Sequence, residues 1–311
     1  MEYKMRIGFM GRSRFLLDTI KLLSKNQNHK ICFIWTSKSE DYYDCPEEEY
    51  KDLANILNCD YYFSAKIEEI EPRINFDKVD VVISMNFVNL IPKEFLDKVK
   101  FGILNAHAGD LPKYKGNAVT NWAIINDEDK IVLTIHEMLP ELDSGPIYEQ
   151  EDFLLEKSKD ISHVYEWLGQ TIPNLFNKAI NKIIEGKKPI PQRKTKSLRV
   201  FPRKPEDSRI IWSEGARKIH NLIRASSHPF EGAYCYLNND KSRLVRIFRC
   251  EEIDLPYDFF AIDGQILEYG KEFFIVSSNN QAIKIYDFHL NNLNKKDSLK
   301  EIVKSMRNRL T

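Results

Sequence analysis

The sequence of 311 residues is as informative in what it lacks as in what it holds. Its five cysteines (Cys32, Cys45, Cys59, Cys235, Cys250) form no CxxC pair and no metal-ligand spacing. This argues against zinc ribbons and thiol-redox motifs and, with no secretory leader, predicts reduced thiols in a cytoplasmic protein. No apolar run approaches the length of a membrane span. There is no excess of either charge, 46 basic residues facing 46 acidic ones, so nothing global suggests a clamp on a long polyanion. A dinucleotide fingerprint is missing as well. Gly8-Phe9-Met10-Gly11 departs from Gly-x-Gly-x-x-Gly, and Trp35-Thr36-Ser37 brings no acid for a ribose. No internal repeat is present.

What is there alternates helix with strand. Lys4–Phe9, Lys30–Trp35, Val79–Ser84 and Phe101–Asn105 read as strands, the third an almost continuous apolar run suited to the centre of a parallel sheet. Phe15, Leu16, Ile20, Leu22 and Leu23 are spaced as on a helix, and Pro92 opens a short one through Phe95, Leu96 and Val99. The pattern predicts a doubly wound, mostly parallel α/β sheet. Ile131–His136 and Ile147–Leu154 read as further strands. A long helix over Ser162–Glu185 follows, with a break or kink expected at Pro173. Residues 1–186 are therefore expected as a catalytic domain. Lys187–Asp207 carries four prolines and eight basic residues and reads as a linker. Residues 208–311 combine a helix (Ala216–Ser226) with short strand-like pieces, as in a smaller β-rich, barrel-like domain.

The chemistry concentrates in Asn105-Ala106-His107-Ala108-Gly109-Asp110-Leu111-Pro112-Lys113-Tyr114-Lys115-Gly116. Residues i and i+2 of a strand share a face, so Asn105 and His107 can serve one site at a strand's end. A second polar cluster, Leu142-Asp143-Ser144-Gly145-Pro146-Ile147, supplies a carboxylate. An amide, an imidazole and a carboxylate suit acyl transfer to an amine. The amide N–H donates to a developing oxyanion, the imidazole moves the amine's proton, and the carboxylate orients it. Each fragment alone has an ordinary alternative as a turn or a core residue.

Taken together, Asn-x-His, Leu-Pro-x-Tyr-Lys-Gly, His136-x-Met138 and Asp143-x-Gly145-x-Ile147 resemble the signature of the folate-dependent formyltransferases. The resemblance is strong over 79–150 and weaker over 5–9 and 197–236. It implies 10-formyltetrahydrofolate as donor, and Asn105, His107 and Asp143 as catalytic residues. It also implies a pterin held by main-chain groups of Met85, Asn86, Phe87, Val88 and Asn89, and no metal. One departure stands out: Gly109 occupies a position where most members carry serine.

Acceptors differ within that family. Ser37–Glu49 sets six carboxylates against one lysine, which would repel a tRNA backbone. Lys115-Gly116-Asn117-Ala118-Val119-Thr120-Asn121-Trp122 is similar to the sugar-modifying members. The resemblance thus implies a formyltransferase acting on a nucleotide-linked 3-amino- or 4-amino-dideoxyhexose for surface polysaccharide, commonly a homodimer. Lys115, Asn117 and Asn121 would line the acceptor pocket. Arg12 and Ser13, at the first strand-to-helix turn, would meet a phosphate, unless the arginine is simply solvated. Methionyl-tRNA formyltransferase, and a folate- or nucleotide-binding protein without catalysis, remain the alternatives.

Overall fold

The computed structural model describes residues 4–39 and 45–311. Glu40, Asp41 and Asp44 of the acidic stretch lie outside the described residues. The chain divides into two units. The first is made of Met1–Val119, Ile131–Phe153 and Tyr165–Val200, the second of Thr120–Lys130, Leu154–Val164 and Phe201–Thr311.

In chain order the elements are β1 (Met5–Gly11), α1 (Arg14–Leu23), β2 (His29–Thr36), α2 (Glu47–Leu57), β3 (Asp60–Phe63), α3 (Ile67–Ile70), β4 (Val81–Met85), α4 (Lys93–Leu96), β5 (Ile103–His107), β6 (Tyr114–Gly116), α5 (Val119–Ile125), β7 (Lys130–Glu137), β8 (Ile147–Leu154), α6 (Ile161–Ile184) and β9 (Leu198–Val200). Seven strands form one sheet in the order β3-β2-β1-β4-β5-β7-β8. Pairing is parallel from β3 to β5 and turns antiparallel between β5 and β7. Every residue of β4 is buried, which is why its sequence is apolar but for Ser84. The strand order reverses between β1 and β4, and in such sheets ligands bind beyond the carboxyl ends near the reversal. Asn105 and His107 lie at that end of β5. The strand begins two residues later than its apolar run, because Gly102 turns the chain with φ +74°.

Helix α6 runs unbroken through Pro173. The missing N–H removes one helical hydrogen bond. Ile172, Leu175, Phe176, Ala179 and Ile180 are nevertheless all buried around it, and that packing overrides the local cost. Of the stretch expected as a linker, residues 187–200 fall in the first unit and 201–207 in the second. Ile190 exchanges two backbone hydrogen bonds with Ile147, and β9 pairs in parallel with β6.

The second unit adds α7 (Ala216–Ser226), β10 (Ala233–Leu237), β11 (Asp240–Ile253), β12 (Ile266–Tyr269), β13 (Phe274–Ser278), β14 (Gln281–Leu290) and α8 (Lys295–Ile302). Its antiparallel sheet has the order β10-β11-β14-β13-β12. Two hairpins turn on Asn238-Asn239 and Asn279-Asn280, all four residues at positive φ, as two-residue loops between right-twisted strands require. The sheet's free edges are joined by the last residues: Leu310 bridges Leu237 of β10, and Arg309 bridges Gln265 just before β12. That closure makes the unit barrel-like and hides two strand edges. Inside lie Trp212, Ile219, Ile223, Phe274, Phe288 and their neighbours.

Candidate active site

Strand β5 brings Asn105 and His107 to one face, and the antiparallel register sets His136 of β7 directly across from Asn105. The turn between β7 and β8 returns Asp143 to the same place. Asp143 Oδ2 lies 3.8 Å from His107 Nδ1, and its Oδ1 lies 3.8 Å from His136 Nε2. All three side chains are more than nine-tenths buried.

The hydrogen bonds define the proton positions. His107 Nε2 sits 2.9 Å from the carbonyl oxygen of Tyr114. A carbonyl only accepts, so Nε2 carries the hydrogen and Nδ1 keeps its lone pair. His136 Nδ1 likewise donates to the Glu137 carbonyl at 2.8 Å. Its Nε2 must then accept, and Asn105 Nδ2 is 3.4 Å away. This orients the Asn105 amide, with NH2 toward His136 and its second N–H left for the site. Burial, and then the nearby His107, push the His136 pKa from 6.5 down to about 4, so this imidazole is neutral near pH 7.

Asp143 is held in the left-handed region at φ 48°. Gly116 N–H donates to its Oδ2 at 2.9 Å. Gln192 Nε2 donates to the carbonyls of Asp143 (2.9 Å) and Gly145 (2.7 Å). The site is therefore an N–H donor, an imidazole with one open nitrogen and a fixed carboxylate. That set can stabilise charge on an acyl oxygen while accepting a proton from a nucleophile.

Residues 5–180 match the model of a family described as formyl transferase, and residues 203–306 match its C-terminal domain. The chain belongs to the formyltransferase family. A methionyl-tRNA formyltransferase of Staphylococcus aureus (strain JH1) is 31% identical over 227 residues, 72% of this chain and 70% of the relative. Among solved structures, the N-formyltransferase from Helicobacter canadensis, crystallised with folinic acid and dTDP-3-aminofucose, superposes with a TM-score of 0.65. It is 18% identical, over 91% of this chain and 99% of that one. HypX from Aquifex aeolicus also gives a TM-score of 0.65 at 18% identity. This chain spans about half of HypX, with 97% of its own length matched to 48% of that protein.

The glycine at 109 has a packing reason in this formyltransferase. A Cβ there would lie 2.4 Å from His107 Nε2 and 2.8 Å from the Tyr114 carbonyl. It would force apart the hydrogen bond that sets the histidine's tautomer.

The remaining expected site residues are distributed more widely. β4 pairs Ser84 with Asn105, so the loop after it starts beside the amide. Met85 is buried, and its carbonyl accepts the Arg12 N–H at 3.0 Å. Asn86 is exposed at φ 53°, Phe87 packs edge-on against Trp35 with centroids 5.0 Å apart, Val88 is exposed, and Asn89 Nδ2 donates to the Ala65 carbonyl. Arg12 Nη1 donates to the Lys38 carbonyl. Ser13 is buried, and its hydroxyl caps α1 instead of facing a ligand. Lys115 is half-buried and Asn117 exposed, both in the first unit. Asn121, expected at the acceptor pocket, instead lies buried in the second unit, where its Nδ2 donates to the Ala225 carbonyl at 2.8 Å. Its amide is a structural tie from α5 to α7.

Neutral His136 has a measurable consequence. Its folded pKa is below its unfolded one, so its contribution to stability is complete above about pH 6.5. That contribution is lost as pH falls toward 4, where the unfolded chain binds the extra proton. Between pH 7 and 4.5 the loss should be about 2–3 kcal/mol. Urea melts at the two pH values are expected to show the wild type losing about 2–3 kcal/mol more unfolding free energy than His136→Gln on going from pH 7 to 4.5. Parallel losses would show that His136 is not buried as a neutral base.

Proposed function

We propose that this formyltransferase moves a formyl group from 10-formyltetrahydrofolate to the amino group of a nucleotide-linked amino-dideoxy sugar. The observation that carries the chemistry is His107. Its Nε2–H is engaged by Tyr114, and its one open nitrogen, Nδ1, sits beside the buried Asp143 carboxylate. A proton taken from the amine at Nδ1 gives an imidazolium between a carbonyl and a carboxylate, both of which stabilise it. Asn105, its amide oriented by His136, donates to the formyl oxygen as negative charge develops there. The folate supplies an activated formyl group when bound. The residues fitted to hold it are Asn86, Phe87 and Val88, in a solvent-facing loop with exposed Leu90 and positive-φ backbone. Such a loop offers main-chain groups and apolar surface to a flat heterocycle.

Several observations support a sugar acceptor over tRNA. Arg14, at the first strand-to-helix turn, is engaged by Glu49 through two hydrogen bonds of 2.7 Å, which removes a cation that a nucleic-acid backbone would use. α2 opens on Glu47, Glu48 and Glu49. The H. canadensis structure, which holds a dTDP-sugar, matches nearly the full length of both chains. The identity to methionyl-tRNA formyltransferase favours the other acceptor.

The deciding experiment incubates the protein with 10-formyltetrahydrofolate and a panel of nucleotide-linked 3-amino and 4-amino sugars, alongside uncharged and Met-charged tRNA. Formylated sugar is the expected product. Formylated tRNA with every sugar untouched would overturn the acceptor assignment.

A further inference from the structure

The segment from Lys187 to Val200 is fastened to the first unit at three points, and two of them bear on Asp143. Ile147 N–H donates to the Ile190 carbonyl at 2.7 Å, and Ile190 N–H returns the bond at 2.8 Å. Gln192 holds the carbonyls of Asp143 and Gly145. Strand β9 pairs with β6 so that Lys115 lies opposite Arg199 and Gly116 opposite Val200. That last contact is close: a Cβ on Gly116 would lie 2.0 Å from the Val200 carbonyl. Gly116 is also the residue whose N–H holds the Asp143 carboxylate. One extended strap thus grips the catalytic loop from its backbone side and braces the donor on its carboxylate side.

Between the fastenings stand Arg193, Lys194 and Lys196, all exposed. Among the described residues none of the three makes an ion pair. The chain as a whole balances its charges, yet from 186 to 205 there is no carboxylate at all. Arg193 follows directly on the residue that touches the Asp143 loop. Solvated cations need no such fixed backbone. Cations on a strap held on both sides, within four residues of the Gln192 contact and without counter-charge, are pre-organised for a multiply charged anion.

We propose that Arg193, Lys194 and Lys196 bind the phosphate groups of the acceptor, and that Gln192 is a positioning residue through which the strap holds Asp143. The identity of the acceptor rests on the nucleotide-sugar assignment above; the phosphate site does not. The test uses the full chain and inorganic pyrophosphate as probe, by calorimetry and as an inhibitor of formyl transfer. The triple variant Arg193→Ala/Lys194→Ala/Lys196→Ala should weaken pyrophosphate binding by about 10- to 100-fold, the loss expected for charge-assisted contacts. It should raise the acceptor KM by a similar factor, with most of the effect in KM. An equal loss of charge elsewhere on the unit, Lys25→Ala/Lys30→Ala/Lys51→Ala, should leave pyrophosphate affinity unchanged. Gln192→Ala should instead lower kcat while keeping pyrophosphate affinity. Wild-type protein that binds no pyrophosphate, or a triple variant that binds it like wild type, would overturn the phosphate site. If no nucleotide sugar is formylated, the acceptor assignment fails while pyrophosphate binding still decides the strap. Formylation of Met-charged tRNA that is lost in the triple variant would keep the strap as a phosphate site and overturn the sugar as its occupant.

Discussion

Replacing His107 with alanine is expected to lower kcat for formyl transfer by about 10³-fold, within the range found for removal of a positioned general base. The argument rests on which nitrogen is open. The Tyr114 carbonyl fixes the hydrogen on Nε2, leaving Nδ1 as the only ring atom able to take a proton. Asp143 at 3.8 Å stabilises the resulting cation. Folate affinity should change little, because the loop from Met85 to Asn89 is held by its own contacts to Arg12, Trp35 and Ala65. The variant also removes the Nε2–H that the Tyr114 carbonyl accepts, so a thermal melt belongs beside the kinetics. A folded variant with near-normal turnover would show that the proton leaves by another route.

Asn105→Ala should cost about 10²–10³-fold in kcat, the usual effect of losing one oxyanion donor. Here the donor is set in advance. A neutral His136 accepts one amide hydrogen, which fixes the flip of the side chain and directs the other into the site. Asn105→Asp keeps the shape but removes the donor and adds a negative charge near Asp143, so it should fall at least as low as alanine. In both variants the loss should appear in kcat, with the two KM values nearly unchanged, because the charge that Asn105 meets exists only in the transition state. A change confined to the folate KM would recast Asn105 as a ground-state binding group.

The parallel strands were legible in the sequence because a strand buried on both faces is mostly apolar, as Val81–Met85 is with only Ser84 polar. The Asn105–His107 pair was legible because period-two alternation sets both on one face. His136 stood within the recognisable motif, but its role depends on an antiparallel register that no local pattern encodes. Gln192 and the strap around it looked like a linker. Proline and lysine content report local backbone preference and solvation, whereas the strap is held by backbone pairing to residues far off in sequence. Asn121 shows the converse error. A polar residue near a motif suggests a pocket, but its amide serves the packing of α5 on α7. The closure of the barrel by Arg309 and Leu310 was invisible for the same reason: two isolated bridges leave no periodic signature.

The second unit draws on three separate stretches of chain, and this constrains how the protein can be recombined. Arg217 donates to Asp127, and Arg224 donates to the carbonyls of Glu156 and Lys159, each at 3.0 Å. Asp127, Glu156 and Lys159 all come from segments that interrupt the first unit. A graft taken from Phe201 onward would arrive without them, leaving Arg217 its contact to Glu252 and Arg224 its contact to Asn221, with α7 missing its tie to Asn121. Exchanging this unit between formyltransferases therefore calls for three matched splices. A single crossover point would produce a chimera that is broken before its specificity can be read.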